Sequence, residues 1–378
     1  MTRQSTYQPA GFVPRLMNAT SRPIIIIGAG LTGLTLAYLL HKRGQPFVVL
    51  EARPRTGGRI LTSRTDGGAA LELGATWLGQ KHTTLTDLLA ELGLGVFEQA
   101  TGGRAIYESI STSPPQVVQL PPNDEPSYRI AGGSEMLIRE LLHKIPAASV
   151  HLNEAAQSLQ QTEDGVEVTT RKKVYQAEKV VSTLPPYLFT STITVTPALP
   201  GNLLDIASQT HTWMGDSIKV GLRYVQPFWR EGDAPGGTIF SNVGPVSEMY
   251  DHTNVEGSKY ALKGFLNGAY YSLTREARRD LILTQLRKYY GDVVDTYTTY
   301  EEGVWRQEDM TFAPYTSHVL PHQNNGHPIF RDPYLKGRLL LAGSETADQY
   351  PGYMDGAVQS ARWAATVLLE AVKPGFIG

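Results

Sequence analysis

Gly28-Ala29-Gly30-Leu31-Thr32-Gly33 spells GxGxxG. In that spacing the first glycine allows a tight turn, the second lets the backbone approach a pyrophosphate, and the third lets a helix pack closely on a strand. The helix that follows would present free amides and a partial positive charge to the phosphates. Glu51 stands 18 residues past Gly33, placed to accept hydrogen bonds from a ribose. A glycine turn alone is weak evidence and does not separate NAD from FAD. Lys219 is a second candidate. In residues 217–225, Ile218, Val220, Leu222 and Tyr224 share one strand face, and Lys219, Gly221, Arg223 and Val225 share the other. The pattern alone predicts a half-buried strand with a solvated lysine. A lysine desolvated beside a cofactor would instead lose proton affinity and could act in proton transfer or water activation. The nine histidines show no metal spacing: His318 and His322 are four apart, but Pro321 breaks a helix between them. No serine, histidine and acid set stands out, and Arg278 and Arg279 read as helix-surface charges.

These residues need elements to position them. Residues 23–27 form a β-branched run that fits a strand buried on both faces. Residues 31–40 read as a helix ended by Gly44, and 47–50 as the next strand, completing a βαβ unit. Helices are expected at 84–94, 135–145, 274–290 (closed by Gly291) and 356–372. Residues 150–181 resemble a small antiparallel meander, stopped by Pro185 and Pro186, and 338–342 a second buried strand. Residues 102–126 are rich in Pro, Ser and Gly and carry little helical period. Residues 1–22 read as an arm.

Composition excludes several function classes. Lys plus Arg is 34 against 36 for Asp plus Glu, which gives no bulk electrostatic reason to bind nucleic acid or an anionic membrane. The absence of cysteine excludes disulfides, thiolate metal sites and a sulfur-tethered cofactor. No stretch reaches the roughly 18 apolar residues of a membrane span. The first 22 residues lack a secretory signal's apolar core, so a cytoplasmic protein is expected.

The residues after Glu51 narrow the cofactor. Ala52, Arg53, Gly57, Gly58 and Arg59 resemble the extended fingerprint of FAD proteins related to glutathione reductase, and within them the flavin amine oxidases. Further blocks agree. Glu72, Leu73, Gly74, Ala75, Thr76 and Trp77 resemble the segment beside the flavin ring. Ser182, Thr183, Leu184, Pro185 and Pro186 resemble the exit from the flavin domain. Gly343, Ser344, Glu345 and Thr346, then Gly352, Tyr353, Met354, Asp355, Gly356 and Ala357, resemble the C-terminal signature of flavin monoamine oxidases. The likeness covers roughly residues 23–95 and 128–372.

That resemblance implies an α/β fold, with a Rossmann-like FAD-binding domain and an interleaved substrate domain on a mostly antiparallel sheet. The FAD domain is expected at 23–80, 148–202 and 308–372, and the substrate domain at 81–147 and 203–307. It implies that Gly58 and Arg59 lie along the pyrophosphate and ribityl chain. Glu345 would contact the same region, and Ala156, Thr183 and Trp305 would lie near the cofactor. The helix at Met354 would aim its N-terminus at the flavin. Lys219 would hold a water against flavin N5, and Tyr315 and Tyr353 would sandwich the amine. The position of the family's flavin-linking cysteine is Pro314, so noncovalent FAD is expected unless a histidine links it.

The implied reaction is hydride transfer from the amine's α-carbon to the flavin, then imine hydrolysis and reoxidation by O2 to hydrogen peroxide. The implied partners are a small amine and O2. A desaturase, porphyrinogen oxidase or mutase relative stays open, as does a flavin-binding protein without turnover. The interval 95–127 is shorter than the family's helical insertion. The site is therefore expected to be more open, to be covered by a second subunit as in a homodimer, or to take a bulky substrate.

Overall fold

The computed structural model describes residues 22–370. The arm expected at 1–22 lies outside them except for Arg22, as do the last two residues of the expected closing helix.

A five-stranded parallel sheet forms the first layer. Its order is Val150–His151, Phe47–Leu50, Ile24–Ile27, Val180–Ser182, Leu339–Leu341. The isoleucine run explains its place at the centre. Ile24 and Ile26 pack under the helices Leu31–Lys42, Glu135–His143 and Met354–Glu370. Ile25 and Ile27 face a second sheet instead. Burial of each such side chain stabilises the fold by about 1.5–3 kcal/mol. The second sheet is the expected meander, Ala156–Gln161, Val166–Thr170 and Val174–Ala177, plus a parallel fourth strand, Thr194–Thr196. Val150–His151 leaves the meander and edges the parallel sheet.

A seven-stranded, mostly antiparallel sheet forms the second body. Its order is Thr299–Val304, Ile218–Tyr224, Tyr260–Leu266, Val246–Asp251, Thr238–Ser241, Arg104–Glu108, Gln116–Gln119. The last two strands lie within 102–126, the segment with little helical period. That segment is a hairpin, and no helix lies between Leu92 and Ser134. The helix Arg275–Tyr290 covers one face of this sheet. The Thr274 hydroxyl caps it by accepting from the Ala277 amide at 3.2 Å, and Gly291 ends it at φ +75°.

Two expectations about charge are overturned. The strand Ile218–Tyr224 is buried on both faces. Its polar face meets residues 69–77, where the Arg223 Nε donates to the Ala69 carbonyl at 2.7 Å. Arg278 is no surface charge: it is 4% exposed and forks onto Glu302 at 2.5 and 3.0 Å. The edge strand Thr299–Val304 runs beside the helix and supplies that carboxylate. Arg279 is the partly exposed one, bonded to Asp280.

Candidate active site

A cavity of about 610 Å³ lies between the glycine turn and the polar face of the seven-stranded sheet. Gly28, Gly30, Leu31 and Thr32 form one wall. Gly28 takes φ +103°, and a Cβ on Gly33 would stand 2.0 Å from the Gly28 carbonyl oxygen. The helix can therefore meet the strand only through a glycine at 33. Gly58 faces Gly30 across the turn, where a Cβ would come within 3.2 Å of the Gly30 Cα. Two bare backbones thus make a cradle at the N-terminus of the helix. Glu51 lines the cavity beside it. Its carboxylate accepts from the Ala29 amide at 2.9 Å and the Arg53 amide at 3.0 Å, and keeps lone pairs for a hydroxyl.

Arg53 closes the cavity from the side. Its guanidinium holds Glu308, the Met310 carbonyl and the Thr311 hydroxyl. Ala52, Gly57, Ala156 and Thr183 also line the wall. So does Glu154, which is buried with its Oε2 lacking a partner.

Arg59 lines the cavity and forks onto Glu345 at 2.5 and 2.9 Å, with a further bond to the Ser344 hydroxyl at 2.8 Å. Burial alone raises the Glu345 carboxyl, but Arg59 and the surrounding hydrogen bonds bring it below its ordinary value. Glu345 is fully buried behind Arg59 and is absent from the cavity wall. The guanidinium occupies its side-chain oxygens, together with the Trp213 amide at 3.1 Å. Ala29, Gly33, Leu73 and Gly343 likewise stand behind the lining. Trp305 lines the cavity, and Leu73 holds it from behind, its carbonyl accepting from the indole Nε1 at 2.8 Å.

The far end is aromatic. Trp77, Trp213, Phe265 and Tyr353 line it with Lys219, Gly74, Ala75 and Thr76. Lys219 is 5% exposed and its Nζ donates to the Gly74 carbonyl at 2.6 Å. Burial pushes its amine down to about 8, with Glu72 opposing. Gly352, Met354 and Ala357 bring the N-terminus of the helix Met354–Glu370 to the same end.

Tyr353 and Tyr315 are not brought together as a pair. Tyr353 is partly exposed, with Trp213 at 5.4 Å and His322 at 6.1 Å between ring centroids. Tyr315 lies off the cavity wall. It stacks on Tyr187 at 5.8 Å, and its hydroxyl accepts from the Thr212 amide at 2.7 Å. The 212–213 segment decides this: Thr212 takes the hydroxyl, and Trp213 packs against Gly352. Trp213, Phe265 and the buried Lys263 escaped the sequence reading. Phe265 and Lys263 had a signal, since they alternate along a strand register-paired with Lys219 and Gly221.

The glycine cradle, two helix N-termini, Glu51 and the unpartnered Glu154 oxygen fit a dinucleotide. No cysteine or histidine stands in the lining that could bond to it. Fold and site together define a dinucleotide-binding oxidoreductase whose reacting end is aromatic. The chain matches the family described as flavin containing amine oxidoreductase over residues 31–110 and 96–369, and it belongs to that family. It is 26% identical to rat amine oxidase (flavin-containing) B, over 92% of this chain and 86% of that one. Pig amine oxidase (flavin-containing) A is 23% identical, over 92% of this chain and 85% of that one. The fold is shared with wild-type putrescine oxidase bound to putrescine, at TM-score 0.80 and 24% identity over 93% and 99% of the two chains. It is also shared with cyclohexylamine oxidase from Brevibacterium oxydans IH-35A, at TM-score 0.79 and 20% identity over 93% and 100%.

The protein is a flavin-containing amine oxidase with FAD as its cofactor. That sets aside the desaturase, porphyrinogen oxidase and mutase alternatives, and the reading without turnover. No helix among the described residues is long and apolar enough to cross a membrane.

Proposed function

We propose that this enzyme oxidises an amine at the carbon next to nitrogen, giving an imine that water hydrolyses to an aldehyde or ketone. FAD, when bound, supplies the acceptor for the hydride and passes the two electrons to O2, which leaves as hydrogen peroxide. In this reading FAD is noncovalent. The amides of Gly30 to Thr32 and the Gly58 backbone hold the pyrophosphate, Glu51 the ribose, and Arg59 the chain between the phosphates and the ring. The FAD unit comprises 23–80, 148–202 and 308–372, and the substrate unit 81–147 and 203–307.

The single observation that carries the reading is the Lys219 amine. It is desolvated, fixed on the Gly74 carbonyl and open to the aromatic end of the cavity. An amine of lowered proton affinity can hold a water or take a proton at Nζ at neutral pH. Tyr353 and Trp213 orient the substrate, and Trp77 and Phe265 keep water from it. The aromatic lining residues Trp77, Trp213, Phe265 and Tyr353 favour an amine on an apolar carbon skeleton. A peroxide-coupled screen over monoamines, polyamines and amino acids tests the reading. Apolar monoamines should give the highest kcat/KM. Failure of every amine both to bleach the flavin anaerobically and to yield peroxide would sink it.

A further inference from the structure

Glu154 sets a carboxylate oxygen without a donor in the cavity wall. The residue is 6% exposed, and its Oε2 has no hydrogen-bond partner among the described residues. A buried acceptor is costly unless something donates to it. Its neighbours do not supply the donor. Lys172 approaches the other oxygen, Oε1, at 3.6 Å and is itself exposed. The Tyr175 hydroxyl lies near the carboxylate without the geometry of a hydrogen bond; burial, then Glu154, pushes it up to about 12. A bare acceptor facing a cavity calls for a donor on the ligand.

The sheet order shows which part of the ligand that is. Val150–His151 is the edge strand, Phe47–Leu50 lies inside it, and Ile24–Ile27 lies inside that. The glycine turn follows the innermost of these three strands, Glu51 the next, and Glu154 the outermost. The Glu154 amide donates to the Glu51 carbonyl at 2.8 Å, and the Asn153 amide to the Arg53 carbonyl at 3.0 Å. The two carboxylates thus stand at successive steps across the C-terminal ends of parallel strands, where such sheets bind dinucleotides. With the pyrophosphate on the glycine turn and the ribose on Glu51, the next step outward belongs to the base. The wall there suits a flat ring. Ala155 and Ala156 follow Glu154 in the lining, and Ile193 lies beside them, just ahead of the strand paired with Ala156–Gln161. An ionised carboxylate only accepts hydrogen bonds. Adenine offers an exocyclic amine as donor, where guanine carries an oxygen.

We infer that Glu154 is a binding residue for the adenine of FAD: its Oε2 accepts a hydrogen bond from the exocyclic amine and so selects a dinucleotide whose base carries that donor. This goes beyond the amine-oxidation reading and rests only on its placing of the pyrophosphate and ribose.

The test uses the full-length chain, stripped of flavin and titrated again, with binding read by the change in flavin fluorescence and no turnover. The probes are FAD and a flavin dinucleotide whose base is unsubstituted purine, so that only the exocyclic amine is missing. The unmodified enzyme should bind FAD roughly 10–100-fold more tightly than the analogue. E154A should weaken FAD and reduce that preference to about threefold or less. E154Q keeps a neutral acceptor and should fall between the two, which decides the question if E154A does not fold. Equal binding of both probes by the unmodified enzyme would overturn the inference. So would a full preference kept in E154A, or in E154Q where E154A does not fold, or an equal weakening of both probes, as a purely structural role would give. E51Q separates this inference from the placing beneath it. Both probes carry the same ribose, so E51Q should weaken both by the same factor. If it removes the preference for FAD or weakens neither probe, the placing of the ribose fails. If it weakens both alike while the Glu154 variants keep the preference, only the role of Glu154 fails.

Discussion

The two ends of the cavity treat buried charge in opposite ways. Beside the glycine cradle, Arg59 meets Glu345 through two hydrogen bonds, and Arg53 meets Glu308. At the aromatic end, Lys219 and Lys263 are buried more deeply than Arg59 or Glu308, yet they rest on a carbonyl, a hydroxyl and two rings. A buried pair with good geometry repays its desolvation and fixes a shape. A buried amine without a counter-ion gives up proton affinity instead. The first end is thus a mould and the second a place where protons can move, so substitutions at each should fail differently.

The largest effect is expected at the second end. Lys219→Met should slow amine-dependent flavin reduction by roughly 10²–10⁴-fold while leaving FAD bound, because the cradle does not use this side chain. Anaerobic stopped-flow absorbance reads both quantities. Unchanged reduction would break the contrast. At the mould, Glu345→Gln leaves Arg59 without its counter-charge, and losing one partner of a buried pair costs roughly 3–5 kcal/mol. Urea unfolding should show that loss, and FAD should wash out on gel filtration. A variant that keeps both stability and cofactor would show that Arg59 does not depend on Glu345.

The mould was readable in the sequence because its parts are backbone devices. Gly28, Gly30 and Gly33 act through the absence of a side chain, and Glu51 follows at a spacing that one βαβ unit sets. The aromatic end was readable only in part. Lys219 could be placed on a strand, but its burial depends on residues 69–77 folding over the sheet from about 145 positions away. Alternation predicts a wet face wherever no such cover is visible, and Arg278 was misread for the same reason. Lys263 carries no motif beyond its alternation with Phe265 along the strand. It becomes notable only once the register sets it opposite Gly221 and over Trp77.

A smaller effect separates the ends by pH. Burial pushes the Glu72 carboxyl up to about 7, against the pull of the Ser134 amide, the Thr62 hydroxyl and both lysines. Its folded value lies above its unfolded one, so its contribution to stability is fully present below about pH 4.5 and is lost as pH rises through 7. The difference is about 3 kcal/mol, flat above that range. Glu72→Gln keeps an oxygen for the Ser134 amide but does not titrate. Its stability relative to the unmodified enzyme should therefore rise by about 3 kcal/mol between pH 4.5 and pH 8 in urea unfolding. An equal gap at both pH values would mean that Glu72 is ionised in the fold and neutralises the lysines.

The smallest effect bears on which ring faces Tyr353. Trp213→Ala removes the ring that packs on Tyr353 and Gly352. An aromatic contact of about 0.5–1.5 kcal/mol converts to a KM for the amine raised by roughly 2–10-fold. Tyr315→Phe removes only the hydroxyl that accepts from the Thr212 amide and leaves the stack on Tyr187 in place. It should cost about 1 kcal/mol of stability and leave KM within about twofold, because that ring does not line the cavity. The expected order of KM is then Trp213→Ala above Tyr315→Phe. The reverse order would mean that Tyr315 leaves its stack and enters the cavity when the amine is bound. Tyr315 and Tyr353 would then be the pair that holds the substrate, and Trp213 its support.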